Sequence, residues 1–167
     1  MPFALVFAEI ADTLLFDNIM TVVKDNMKAS LDEIFDSEDL PDFAQRTLGT
    51  HFKLGQYPVF ALDPDEHGPQ QSADGSWVED SVKVQTYLSV ESDNLPDAIR
   101  LAAKYATAFK AVLRRAERDR SFTAGFPANS VFACTVEFSY KYGIEGKTAN
   151  GFEVPVNMEL LFKFNQT

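Results

Sequence analysis

The stretch from Asp80 to Arg120 changes its hydrophobic period once, and this change constrains the fold more than any other feature of the sequence. Between Val82 and Val90, apolar and polar residues alternate. Such alternation is typical of a strand with one buried face, because successive side chains leave opposite faces of a pleated backbone. The residues on the predicted buried face are Val82, Val84, Thr86, Leu88 and Val90.

A helix is predicted directly after this strand. Pro96 stands in its first turn, where the missing N–H of proline costs no hydrogen bond. From Ala98 onward, apolar residues recur at the three- and four-residue steps of an amphipathic helix. They form one stripe of Ala98, Ala102, Tyr105, Phe109, Leu113 and Ala116. A strand and a helix with matching apolar faces indicate a single sheet covered by helices.

The two ends of the chain also carry clear periodicity. A long amphipathic helix is predicted from Leu5 to about Phe35, and its apolar stripe needs a sheet or a partner to cover it. Val131–Tyr142 and the stretch from Phe152 to about Phe164 both alternate with period two. Asn150 and Gly151 form a strong turn dipeptide between them. These last two strands are therefore predicted to be antiparallel.

The region between these elements is less regular. Tyr57–Leu62 is predicted as a short strand at a sheet edge or at a strand start, because Pro58 cannot donate to a ladder. Residues 63–80 are rich in Asp, Glu, Pro, Gln, Ser and Gly, and they are predicted to form an exposed acidic loop. Asp42–Thr50 is predicted to be one further helical turn or a loop.

Together, the elements predict one α+β domain spanning residues 1–167. Its antiparallel or mixed sheet is expected to hold about four strands. The long N-terminal helix and the central helix would pack on one face, and a long C-terminal hairpin would complete the sheet.

The charge of the chain excludes several classes of protein. Its formal net charge is -10, which opposes ordinary DNA binding because phosphate contacts need clustered Lys and Arg. No run approaches the roughly 20 apolar residues that span a bilayer, and the N-terminus lacks the basic region of a signal peptide. Cys134 is the single cysteine, so it has no intramolecular disulfide partner. A single cysteine fits a reducing compartment or assembly in the cytoplasm.

Basic residues are concentrated on the central helix. Seven of the 15 lie between Arg100 and Arg120. One interpretation is an assembly surface, in which this helix meets the acidic face of a neighbouring copy. The other is a solvated helix face with cations near a helix C-terminus, which the helix dipole favours. The candidate interface residues are Arg100, Lys104, Arg114 and Arg118, together with Trp77 and Phe126 from the flanking loops.

No stretch of the sequence carries a complete catalytic or metal-binding motif. Gly146-Lys147-Thr148 resembles the end of a phosphate-binding loop, but a strand rather than a helix is predicted to follow it. Residues 63–74 loosely match a calcium loop, yet Pro64 and His67 interrupt the pattern, so a solvated acidic loop is the better interpretation. His51 and His67 are the only histidines. We expect no enzyme activity, no metal site and no cofactor.

The order of elements resembles that of the tail terminator, tail completion or neck proteins of tailed bacteriophages. The resemblance lies in Pro58–Pro64, in Val82–Val90 followed by Leu95–Leu113, and in the long strand Phe152–Phe164. It is a pattern of elements over most of the chain rather than a signature motif. The resemblance implies a virion structural protein that forms a homohexameric ring, caps the tail tube, stops its polymerisation and presents a docking surface to the head-side connector.

The same resemblance implies a set of partners. They are the tail tube protein, the sheath where a tail has one, and the head-closure or connector proteins. Genome DNA would pass through the lumen without specific binding, and an acidic wall would repel it. Assembly would take place in the host cytoplasm, with no membrane. Two alternatives remain: another neck component, such as a head-closure or adaptor protein, and a small cytoplasmic ligand-binding or regulatory domain with a pocket between helix and sheet.

Overall fold

The computed structural model describes residues 3–49, 51–53, 55–71, 78–126 and 133–166. Its elements follow one another in the order α1 (Phe3–Ile34), β1 (Gln45–Leu48), β2 (Val59–Gln71), β3 (Val78–Ser92), α2 (Leu95–Arg118), a 3-10 turn (Ser121–Thr123), β4 (Ala133–Tyr142), β5 (Gly146–Thr148) and β6 (Gly151–Gln166).

The strands form one mixed sheet in the order β1-β2-β3-β6-β4, and β5 also pairs with β6. Only the β1–β2 pair is parallel, whereas β2–β3, β3–β6, β4–β6 and β5–β6 are antiparallel. The predicted α+β class, the long N-terminal helix, the central helix and the C-terminal hairpin are all confirmed. The sheet has six strands rather than about four, because β1 and β5 are too short to show a period in the sequence.

β3 and α2 form the centre of the core, as their periodicity predicts. All five predicted inward residues of β3 are buried, and so is every member of the α2 stripe. The Thr86 hydroxyl, on this inward face, donates to the Met158 carbonyl at 3.0 Å, which satisfies a buried polar group. Asn94 caps α2, because its side-chain oxygen accepts the Asp97 N–H at 2.9 Å.

α1 lies against α2 and the 3-10 turn. Its buried residues recur at helical spacing: Leu15, Ile19, Val22, Val23, Met27 and Leu31. Two polar contacts fix its position. The Ser30 hydroxyl donates to the Ala108 carbonyl of α2 at 2.9 Å, and the Asn18 amide donates to the Phe122 carbonyl at 2.8 Å.

The predicted loop at residues 63–80 is wrong for every residue that the structure describes there. Residues 63–71 extend β2, residues 78–80 begin β3, and the ladder between them continues to Gln71 opposite Val78. Pro64 and Pro69 are tolerated because β1 reaches only Leu62, so the rest of β2 has one free edge. A register shift between Pro64 and Glu66 absorbs the irregular sequence. The exposure predicted for Asp63–Glu66 is confirmed.

Of the segment Asp42–Thr50, predicted as one further helical turn or a loop, Gln45–Leu48 form a strand instead. Asp42–Ala44 and Gly49 lie outside any helix or strand, as the loop alternative predicts, and Thr50 lies outside the described residues. β1 pairs with β2 over four residues, from Gln45 opposite Val59 to Leu48 opposite Leu62. Phe43, just before it, is buried and stacks near Phe60 and Tyr105, with ring centroids 5.5 and 5.8 Å away. This anchoring phenylalanine holds the segment in extended form against β2, where local sequence preference alone would not.

Candidate assembly surfaces

The four basic residues predicted as an interface lie on α2, but they differ in what they contact. Arg100 and Arg118 are the most exposed, at 70% and 75% of the side chain. Each has a carboxylate of its own helix end nearby, Asp97 at 3.1 Å and Asp119 at 3.8 Å. Exposed pairs of this kind contribute about 0.5 kcal/mol or less. Both arginines therefore remain available to a partner.

Lys104 is committed within the chain. Its ammonium donates to both oxygens of Glu38, at 2.8 and 2.6 Å, and lies 5.9 Å from the centre of the Phe35 ring. Glu38 belongs to the segment that follows α1, so this pair ties that segment to α2. Lys104 thus has a structural contact as well as its predicted place on the basic face.

Arg114 holds the edge of the sheet. Its guanidinium lies 4.4 Å from the centre of the Phe138 ring and donates to the Val136 carbonyl at 3.0 Å. The neighbouring Glu117 carboxylate accepts the Val136 N–H at 2.6 Å. Arg114 and Glu117 are themselves 3.4 Å apart. This arrangement, which we call the edge cap, occupies the outward backbone groups of β4 at Val136.

The two predicted aromatic contacts have different outcomes. Trp77 lies outside the described residues. Phe126 is partly buried against the core, with its ring centre 5.7 Å from that of Phe164. Its position matches the common behaviour of a loop phenylalanine, which packs under the body of its own chain.

Exposed aromatic and apolar residues that the sequence analysis did not select lie along β4 and the turn after it. Tyr140 and Tyr142 are 41% and 46% exposed, and Ile144 is 92% exposed. Lys110 of α2 reaches this surface, with its ammonium 4.7 Å from the centre of the Tyr140 ring. The alternation of β4 correctly places Tyr140 on the helix side of the sheet, but β4 is the terminal strand of the described sheet, and α2 covers Tyr140 only in part, through Lys110. The sequence signal for this surface is the recurrence of large apolar residues at two-residue steps, at Tyr140, Tyr142 and Ile144, which continues past the end of the predicted strand.

The face of the sheet opposite the helices, which we call the open face, is polar along most of its length. Its carboxylates outnumber its amines. Lys83 lies 4.0 Å from Glu66 and 3.8 Å from Glu159, so it is shared between strands. Lys163 contacts Glu137 at 3.0 Å. The charged residues of the open face are Asp63, Asp65, Glu66, Lys83, Glu91, Glu137, Lys141, Glu153, Glu159 and Lys163.

One end of the open face is covered by residues 51–53 and 55–57. The Phe52 ring stacks on that of Tyr87 with centroids 5.4 Å apart. The hydroxyls of Tyr57 and Tyr87 both donate to the Glu153 carboxylate. Burial, followed by the hydrogen bond to Glu153, raises the pKa of Tyr57 above its usual range. Burial also raises the pKa of Tyr87. Both groups stay protonated and act as donors rather than as bases.

The possible chemical motifs do not form reactive sites among the described residues. Burial, and then the nearby Glu117 charge, raises the pKa of Cys134 to about 12, so its thiol is a poor nucleophile. Gly146–Thr148 forms β5, and no helix follows it. In the described part of the chain, no cluster of three or more Cys, His, Asp or Glu side chains is placed to hold a metal ion.

No model of a known protein family matches the chain, and no curated protein matches it significantly. Within the described residues, neither helix has both the length and the apolar character needed to cross a membrane.

Proposed function

We propose that the chain is a virion structural protein of tailed bacteriophages that acts as a tail terminator. In this role, copies of it form a ring that caps the tail tube, stops tube polymerisation and joins the tail to the head-side connector. The ring is expected to be a homohexamer. The proposal assigns the chain no catalytic residue and no cofactor.

The observation that carries the proposal is the open face. A broad antiparallel sheet with helices on one side has a polar, carboxylate-rich surface on the other. A wall of this kind repels the phosphates of DNA and gives them few cations to bind, so a duplex slides past without adhering. We infer that the open face lines the lumen of the ring and that the helices lie outside.

The remaining partners follow from this position. The tail tube protein would contact one rim of the ring, and the head-closure or connector proteins would contact the other, with the sheath as a further partner in contractile tails. The assembled protein would belong to the tail or neck of the virion after assembly in the host cytoplasm.

The ligand-binding alternative has less support than the tail-terminator proposal. It placed a pocket between helix and sheet, but the described α2 stripe and the inward residues of β3 are at most 4% exposed and pack directly on one another. The other neck roles, head closure and adaptor, keep the same fold and surfaces. Tail length separates them: without a terminator, tails become abnormally long, whereas without a head-closure protein they keep their length but fail to join heads.

The test measures size, symmetry and DNA retention of the purified protein. Light scattering and negative-stain microscopy should give a closed ring with an open lumen. A double substitution, Asp63→Lys with Glu66→Lys, is expected to make the ring retain DNA at low salt, because the open face would then bind phosphates. Asp17→Lys with Asp25→Lys is the matched control, since it changes the net charge equally at exposed positions of α1.

Two results would contradict the proposal. One is a protein that stays monomeric at low salt and high concentration and also fails to join tails. The other is a ring in which the control pair retains DNA as strongly as the open-face pair, since the open face would then not line the lumen.

A further inference from the structure

β4 has a free outer edge. It is the terminal strand of the sheet, and no described strand pairs with its outer side. The edge cap shows which residues face outward, because both the N–H and the carbonyl of Val136 bond to α2 rather than to β6. Alternate residues of an antiparallel strand direct their backbone groups to the same side. Phe138, Tyr140 and Tyr142 therefore present theirs at the outer edge.

The edge cap closes this edge at one point and leaves a short stretch open. Beyond Val136, the free stretch runs from Phe138 to Tyr142. It carries the exposed side chains of Tyr140 and Tyr142, and exposed Ile144 follows it. A strand edge with unpaired backbone groups and exposed aromatic residues is a template for another strand.

β1 forms the opposite edge of the same sheet, and its length matches. It has four residues, and Leu48 is 58% exposed. The N–H of Gly49 bonds to the Leu62 carbonyl of β2 at 2.6 Å. With the β1–β2 register, this bond means that Arg46 and Leu48 direct their backbone groups away from β2. Their side chains lie on the helix side of the sheet, since they stand opposite the core residues Phe60 and Leu62.

We propose that the free edge of β4, Phe138–Tyr142, binds the β1 edge, Gln45–Leu48, of a second copy of this chain. Strand directions favour this pairing. β1 runs with β2 and β6, whereas β4 runs with β3. Two copies related by rotation about an axis along the strands therefore bring β4 and β1 together antiparallel. In that arrangement, the residues whose backbone groups point to the neighbouring copy have their side chains on the helix side in both strands. The two strands can therefore form backbone hydrogen bonds while their helix-side faces stay on the same side of the sheet.

Charge also favours β1 over a second β4 as the partner. Lys110 and Lys141 lie beside the β4 edge, and no described carboxylate is within ion-pair distance of either amine. The segment before β1 is acidic, with Asp36 and Asp39 exposed, and the cation of β1, Arg46, is already paired with Asp42 at 3.3 Å. Pairing two β4 edges across a two-fold axis would instead bring the two copies of Lys110 together, which opposes that contact.

This inference rests on the proposed function and gives the ring its subunit contact. The two edges are different surfaces, so the contact is head-to-tail. Repeating it by rotation adds further copies until a ring closes, instead of stopping at a dimer. The main path of the sheet has five strands. With a spacing of about 4.8 Å between strands, six copies give a strand circle roughly 45 Å across, which leaves room for a DNA duplex.

Cysteine cross-linking tests the pairing. Two registers avoid the edge cap, and they place Thr47 opposite Ser139 or opposite Lys141 of the next copy. In a Cys134→Ala background, we expect either T47C with S139C or T47C with K141C to form covalent oligomers under mild oxidation, because directly opposed residues have the Cα separation of a disulfide. Within one chain the two edges are four strand spacings apart, about 19 Å, so no internal bridge competes.

The single-cysteine variants T47C, S139C and K141C are the controls. They should stay uncross-linked. If S139C and K141C together cross-link without T47C, two β4 edges are paired and the proposal is wrong. If rings form but no cysteine pair cross-links, the subunit contact is elsewhere, while the ring function stands. A monomer would contradict both.

A proline substitution provides an independent measurement. Tyr140→Pro removes an outward N–H that no described strand uses, so it should leave the fold intact and weaken assembly about tenfold or more. Tyr140→Val removes the same ring but keeps the N–H, and it should assemble more strongly than the proline variant. Equal assembly of the two variants, at equal thermal stability, would show that the backbone edge is not used.

Discussion

The two faces of β3 follow different rules although their residues alternate along one strand. On one face, every residue from Val82 to Val90 with even number is at most 2% exposed beneath α2. On the other, Lys83 and Gln85 bind charged or polar groups of neighbouring strands, and only the end near Ser89 is covered. The helix side therefore forms the core, and the open face and the sheet edges are the surfaces that we propose contact other molecules.

The largest difference between the faces should appear in stability. Phe109 is fully buried, with its ring centre 5.5 Å from that of Phe60. Phe109→Ala is expected to lower the free energy of unfolding by about 3–5 kcal/mol, since it removes buried surface and leaves a cavity. Ser139→Ala, on the open face, should change it by about 0.5 kcal/mol or less. Denaturant unfolding measures both changes. Similar losses of unfolding free energy in the two variants would mean that the two faces of the sheet do not differ in their contribution to stability.

The covered end of the open face should give an intermediate effect. Glu153 accepts two tyrosine hydroxyls, so Glu153→Gln is expected to cost about 1–2 kcal/mol because hydrogen bonds to a charged group are lost. Because the pKa of Tyr57 is raised in the folded state, folding favours its protonated form. The free energy of unfolding should therefore be unaffected by this group below about pH 10 and fall as pH rises above it.

Tyr57→Phe should make that alkaline decline shallower than in the unsubstituted protein, because the raised pKa of Tyr57 no longer contributes to it. Unfolding curves at several alkaline pH values measure the slope. An unchanged slope in the Tyr57 variant would mean that Tyr57 is not shielded from water at this end of the sheet.

The smallest stability effect is expected on the outer face of α2. Arg100→Glu with Arg118→Glu should alter the free energy of unfolding by about 0.5 kcal/mol or less, since both side chains are exposed. The same pair should weaken assembly at low salt if the basic face meets an acidic neighbour. Lys24→Glu with Lys147→Glu provides a control of equal charge change at exposed positions elsewhere. Light scattering follows assembly, and a variant that unfolds would make the two arginines structural.

Much of the fold was predictable because most of its elements bury one regular face. The alternation of β3, β4 and β6 and the stripe of α2 gave their positions within a few residues. The acidic arms of the β2–β3 hairpin were missed because their strand form comes from the ladder with a neighbour rather than from their own composition. β1 was missed because a four-residue strand is shorter than the window in which a period can be seen.

The candidate surfaces were less predictable, because they depend on contacts between distant parts of the chain. The basic face was visible in the sequence, but the contacts of Lys104 with Glu38 and of Arg114 with Val136 join residues 66 and 22 positions apart. No local pattern indicates such pairs. The exposure of Tyr140 likewise depends on the terminal position of β4 in the described sheet, which local sequence does not show.

The position of β6 has a consequence for synthesis of the chain. This strand follows all the others in sequence, yet it lies between β3 and β4 and supplies partners to both. Until it leaves the ribosome, β4 has no neighbour and β3 is unpaired on one side. The pairing of residues as distant as Val78 and Gln166 also favours slow folding. A nascent chain therefore cannot present a finished β4 edge, which would keep incomplete copies out of the proposed ring.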